Sequence, residues 1–188
     1  MSENDNKLKM NQLLNKLNDD YSVQGIKPFC DEGIDWAGEN AIEDLAQKIK
    51  RGDWCLWFAQ RMEIDHRVLT LAKGHCANTI RDFMKDDRSL KAVDTAIAYG
   101  EGKLSKDELD MAAEQALEAT SIGTPETYAA YRAVSDTATS ELNTVAAYTS
   151  EIAPDNKRNL IETAEICKIY LSKLVIDKVN ELLIKGKL

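Results

Sequence analysis

The chain predicts an all-α fold, a single-domain bundle of seven or eight helices, and three observations carry that prediction. Only nine Gly and three Pro interrupt it, which favours long helices over a many-turned β fold. Apolar residues recur at spacings of three and four in segment after segment, and no alternating run or hairpin dipeptide competes. With 44% apolar and 30% charged residues, the 188-residue chain belongs to the globular class and is long enough to bury a core.

From Asn4 to about Asp19, Met10, Leu13, Leu14 and Leu17 lie on one face of an amphipathic helix. Residues 20–39, DYSVQGIKPFCDEGIDWAGE, have no steady period and form a long connection expected to lay Ile26, Phe29 and Trp36 on the body. Asn40 and Glu43 make a capping box for a helix through Ile42, Leu45 and Ile49 to Gly52. Asp53 is expected to cap DWCLWFAQRM, which carries Trp54, Leu56, Trp57, Phe58 and Met62. Asp65 opens the next helix, through Val68, Leu69, Leu71, Ala72, Cys76, Ile80 and Phe83, and KDDRS breaks it. Leu90, Val93, Ala96 and Ile97 continue as a helix ending near Gly100 and Gly102. Ser105 with Glu108 is the clearest capping box in the chain and starts a helix to about Ser121.

The stretch 124–149, TPETYAAYRAVSDTATSELNTVAAYT, reads as one long helix of small residues, with Thr124 as cap, Pro125 at its first position and Pro154 closing the segment. Tyr131, Val134, Ala138, Leu142, Val145 and Thr149 form a stripe expected to face the core. Ala129, Ala130, Ala133 and Ala147 lie off that stripe, where small side chains let another helix come close, from the same chain or from a second copy. A final helix, from about Asn156 to Ile184, carries Leu160, Ala164, Ile169, Leu174, Val179 and Leu182. The layout is therefore an N-terminal helix and connection (1–39), a helical body (40–150) and a long C-terminal helix (155–188).

The net charge of −8 is unevenly placed, because residues 94–154 hold 11 acids against 3 bases. Such a surface disfavours nucleic acid and suits a basic protein partner. Asp107, Asp110, Glu114 and Glu118 share one arc of the helix that Ser105 opens. Like charges four residues apart cost a helix roughly 0.2–0.5 kcal/mol per pair, and the dipole near the N-terminus excuses only the first two. These four acids are the candidate partner-binding residues.

Chemistry finds little support. Cys30, Cys55, Cys76 and Cys167 form no C-x-x-C pair and are expected to be reduced, mostly buried and in a cytoplasm. His66 and His75 fall about 180° apart on one helix, so they share no metal. Cys76 follows His75 directly, and adjacent helical residues do not face each other. Asp53 and Asp65 are explained as caps, and no phosphate-loop, dinucleotide or H-E-x-x-H motif occurs. Trp54, Trp57 and Phe58 near Arg61, Arg67, Arg81 and Arg88 suggest a minor alternative, a small anionic ligand. No metal, cofactor or catalytic set is expected, and no run of 18 apolar residues predicts a membrane span. The leading charged segment MSENDNKLKM is unlike a signal peptide.

The run from Arg51 to Leu117, with Asp53-Trp54 and then Asp86-x-Arg88-x-x-x-Ala92, a helix ending in Gly and an Ala-rich region with Tyr, resembles a known pattern. It is similar to the all-helical immunity proteins encoded beside bacterial polymorphic toxins, a family with phage-encoded relatives. The similarity spans roughly residues 36–150. Ser89 stands where the usual pattern has Pro, and Tyr99 where it often has Trp. The resemblance implies a non-enzymatic protein that binds and neutralises an effector, a toxin or a host defence protein, and it singles out Asp86, Asp87 and Arg88. The leading expectation is a cytoplasmic inhibitor of immunity or phage anti-defence type, acting on a basic protein partner through its acidic helical surface. The alternative is a self-assembling helical module with Ala129, Ala130 and Ala133 at its homo-oligomer contact, sequestering a small anionic ligand between subunits.

Overall fold

The computed structural model describes residues 12–16, 19, 35–36, 41, 47–135 and 144–185. The expectations that rest on Met10, Leu17, Ile26, Phe29, Cys30, Asn40, Ile42, Glu43, Leu45, Ala138 and Leu142 lie outside those residues. The fold is all-α, and no strand occurs among the described residues. Seven α-helices occupy the described stretch from residue 52 onward: α1 (Gly52–Arg61), α2 (His66–Asn78), α3 (Asp87–Gly100), α4 (Lys106–Ala119), α5 (Pro125–Val134), α6 (Thr144–Ile152) and α7 (Asn156–Ile184).

Contacts divide the chain into two compact units. The larger comprises Lys50–Val175, and the smaller Met1–Ile49 with Ile176–Leu188. In the smaller unit Leu13 and Leu14 are buried, as the amphipathic pattern predicts. Trp36 is a little more than a third exposed. The indole is too large and amphipathic to be enclosed as readily as an aliphatic side chain.

In the larger unit α2 packs against α1, α3, α5 and α6, and α5 against α2, α3, α4 and α6. The α2–α3 crossing depends on Gly100, where a Cβ would meet the Leu71 Cβ at 2.4 Å and its Cα at 2.8 Å. The predicted starts of α2 and α4 hold. The Asp65 carboxylate accepts from the Arg67 and Val68 amides at 2.9 and 3.3 Å. The Ser105 amide donates to Glu108 at 2.8 Å, while the Glu108 amide donates to Ser105 Oγ.

Two boundaries differ from expectation. Gly52 opens α1 instead of ending the preceding helix, and residues 49–51 are not helical. Asp53 therefore sits inside the first turn of α1, with Arg51 as the capping position and no side-chain cap bond. The Asp53 carboxylate is buried and held by the Arg51 guanidinium at 2.7 and 3.2 Å. Thr124 likewise caps α5 by position alone, because its hydroxyl makes no capping bond. Phe83 leaves the expected helix for a 3₁₀ turn, Arg81–Phe83, and is exposed.

The largest departure is that 124–149 is not one helix. α5 stops at Val134, and Ser135 is extended, with φ −73° and ψ 140°. Lys73, a fully buried lysine on α2, donates from Nζ to the Ser135 carbonyl at 2.8 Å. A buried ammonium must be hydrogen-bonded, and a carbonyl released from the helical ladder meets that need. The sequence from Ser135 to Ser140, SDTATS, has little helix propensity to oppose the break.

Ala129, Ala130, Ala133 and Val134 are fully buried, while Tyr131 is only half-buried. Val134, Val145 and Thr149 of the expected stripe are buried, and the alanines beside it widen the core face where helices of this chain come close. The register of α7 is corrected. Ala164, Cys167, Leu171 and Val175 are buried at spacings of 3, 4 and 4, whereas Ile169 and Leu174 point outward.

Candidate partner-binding face

α4 buries one narrow face and presents the other to solvent. Leu109, Ala112, Ala116 and Ala119 are buried, and Asp107, Asp110, Glu114 and Glu118 are all exposed. At about 100° per residue the four acids form a ridge, with Met111 on one flank and Leu117 on the other. Both flanking side chains are more than half exposed, at 56% and 52%, and Ile122 just beyond the helix is 52% exposed. The sequence marked the acids; it did not mark the apolar flanks, because an exposed Leu at helical spacing looks like a core residue.

The ridge is partly neutralised at its ends. Lys106 pairs with Asp110 one turn along, and the Arg88 guanidinium comes within 3.8 Å of Glu118. Asp107 and Glu114 have no ion-pair partner among the described residues. The capping box adds charge at the N-terminus, since the Ser105 amide and hydroxyl hold the Glu108 carboxyl below the usual carboxylate range.

Asp86, Asp87 and Arg88 mark the start of α3. The Asp86 side chain caps it, accepting from the Arg88 amide at 2.9 Å and from the Arg88 guanidinium at 2.8 and 3.0 Å. The guanidinium holds the Asp86 carboxyl below its ordinary range and is itself pushed up by the same pair. Asp87 is exposed in the first turn, where the helix dipole favours a carboxylate. Arg88 thus links the start of α3 to the end of α4, beside the acidic ridge. Ala129, Ala130 and Ala133, the expected oligomer contact, lie at zero exposure inside this chain. Neighbouring helices of the same chain already occupy the space a second copy would need.

The groups considered for chemistry are dispersed. His66 Nδ1 lies 3.2 Å from the Tyr99 hydroxyl, while His75 stacks on Tyr170 with ring centres 5.0 Å apart. Burial lowers the His75 pKa and outweighs the opposing pull of Glu101. Trp54, Trp57 and Phe58 are buried in the core. Arg51 and Arg61 lie over the Trp54 and Trp57 rings, at 4.5 and 5.0 Å. The other arginines are committed elsewhere, Arg67 to the Tyr99 carbonyl at 2.6 Å and Arg81 to Asp94 at 2.7 and 3.0 Å. They do not converge on an anion site. Among the described residues no group of His, Cys, Asp and Glu is arranged to hold a metal. Nor is any described helix long and apolar enough to cross a membrane.

Sequence reasoning missed two features, buried Lys73 and a meeting of cysteines from α1, α2 and α7. Neither has a local signal, since their partners lie 62 and 91 residues away.

No protein-family model matches the chain, and no curated protein or solved structure matches it.

Proposed function

We propose that this protein is a non-enzymatic inhibitor that binds a basic partner protein through the solvent face of α4 and neutralises it by occlusion. The observation that carries the proposal is the ridge of Asp107, Asp110, Glu114 and Glu118 between exposed Met111 and Leu117. Charge steers the encounter and sets register, while the apolar flanks supply area to bury. Glu114, away from the favourable N-terminal end of the dipole and without an ion-pair partner among the described residues, costs the isolated helix a little and is well placed to meet a cation. The resemblance of residues 51–117 to immunity proteins, a family with phage-encoded relatives, is in keeping with a toxin or defence protein as the target.

The test is direct binding between the purified protein and the purified product of a neighbouring toxin or defence gene. Affinity should fall as salt rises, because the Debye length shrinks from about 10 Å at 0.1 M to about 3 Å at 1 M. Glu114→Lys with Glu118→Lys should weaken binding about tenfold or more, with the helical circular dichroism unchanged. An affinity that neither salt nor the double reversal alters would refute the reading.

A further inference from the structure

Three thiols from distant parts of the sequence meet inside the larger unit. Cys76 Sγ on α2 and Cys167 Sγ on α7 lie 3.8 Å apart across 91 residues of chain. Gly52 permits the approach of α1 to α7, for a Cβ there would meet Thr163 Oγ1 at 2.4 Å and the Thr163 carbonyl carbon at 2.8 Å. Cys167 Sγ thereby comes to 3.7 Å from the Gly52 carbonyl, and Cys76 Sγ to 3.8 Å from the Thr163 carbonyl. Cys55 stands three residues past Gly52 on α1, on the same side of the turn whose Gly52 carbonyl Cys167 Sγ approaches. The neighbouring Cys55 and Cys76 thiols, with burial, push the Cys167 thiol well up. Cys76 and Cys167 are fully buried, whereas Cys55 is half-buried and reaches solvent.

We propose that Cys55, Cys76 and Cys167 form a thiol relay that a hydroperoxide oxidises, ending in a Cys76–Cys167 disulfide that ties α2 to α7. Solvent access makes Cys55 the entry point. Its thiolate attacks the outer peroxide oxygen and the O–O bond breaks, leaving Cys55 as the sulfenic acid and releasing water or an alcohol. The Cys167 sulfur then attacks the Cys55 sulfur. The S–O bond breaks, the hydroxyl leaves as water with the Cys167 proton, and a Cys55–Cys167 disulfide forms. Cys76 next attacks Cys167 and displaces Cys55 as a thiolate, which water can solvate and which regains a proton. Two thiols lose two electrons and two protons, and the peroxide takes up both. Closing the final bond needs an approach of about 2 Å from the resting sulfur separation.

The experiment exposes the purified full chain to hydrogen peroxide in a Cys30→Ser background, then maps disulfides by mass spectrometry after alkylation and non-reducing digestion. The expected result is loss of two thiols per chain and a Cys76–Cys167 peptide pair that dithiothreitol reverses. Oxidation should accelerate as pH rises, because the first attack on the peroxide is made by the Cys55 thiolate. Adding Cys55→Ser should slow formation of the pair about tenfold or more, since it removes the only solvent-reaching member. Adding Cys76→Ser instead should stop the sequence at Cys55–Cys167. Retention of all thiols, products that are only sulfinic acids or chain-to-chain disulfides, or an undiminished rate in Cys55→Ser would each overturn the relay. Should Cys76→Ser fail to fold, the peptide map with Cys76 intact still decides.

Discussion

α4 and α5 are adjacent helices that both bury alanine, yet they stand in opposite relations to solvent. Leu109, Ala112, Ala116 and Ala119 occupy about 80° of α4, and the remaining surface carries its acids. On α5, Thr127, Ala129, Ala130, Ala133 and Val134 occupy about 160°. The difference follows from their neighbours, since α4 packs mainly on α3 and α5, while α5 is enclosed by α2, α3, α4 and α6. Small residues on α4 let one side sit close to the bundle. On α5 they let several helices come close together, so the same residue type marks a surface element in one case and the centre in the other.

The strongest test of that contrast is Ala130→Leu, which overpacks the enclosed face and should cost about 3 kcal/mol. At roughly 2–4 °C per kcal/mol the thermal midpoint should drop by about 6–12 °C. Ala113→Leu, at the half-buried edge of α4, should change it far less; equal effects would erase the distinction. Next comes Lys73→Met, which removes the ammonium from the Ser135 carbonyl and should cost about 2 kcal/mol in urea unfolding. Full stability in that variant would mean that the end of α5 does not depend on Lys73. Ser105→Ala deletes half of the capping box and should cost about 1 kcal/mol by the same measurement.

A smaller effect concerns His75, half-buried and stacked on Tyr170. Its folded pKa is lowered, so the unfolded chain binds more protons in the window just below the ordinary histidine pKa of about 6.5. Stability should therefore decline as pH falls from about 6.5 toward the folded value, and His75→Gln should flatten that part of the profile. An NMR titration placing His75 above 6.5 would contradict the sign. The smallest change is expected at the ridge itself. Glu114→Lys with Glu118→Lys should leave stability within about 0.5 kcal/mol, because both side chains are exposed. A large loss of stability would make the ridge part of the scaffold and remove it as a docking face.

Much of this was legible in the residue order because its cause is local. Asp65, Ser105 with Glu108, and Pro125 each set a helix start within four residues, and the bounds of α7 were readable as Asn156 to Ile184. The four acids of α4 were legible for the same reason, since charges avoid a core whatever packs nearby. Ala129, Ala130 and Ala133 allow close approach by another helix, but whether that helix comes from this chain or a second copy is not written in alanine, which has no strong solvent preference. Ile169 and Leu174 were misplaced on α7 because an apolar side chain can be left outside at modest cost when no neighbour covers it.

By itself, then, the sequence determined an all-α chain, most of its helix starts, and an acidic face on α4, since propensity, capping and charge act over a few residues. Only the tertiary structure decided where α5 ends, which side of it is the core, and that Cys55, Cys76 and Cys167 meet. Those features depend on contacts such as Lys73 with Ser135 and Gly52 with Thr163, between residues far apart in the chain. The energy of a long-range contact belongs to both partners and is written in neither one alone.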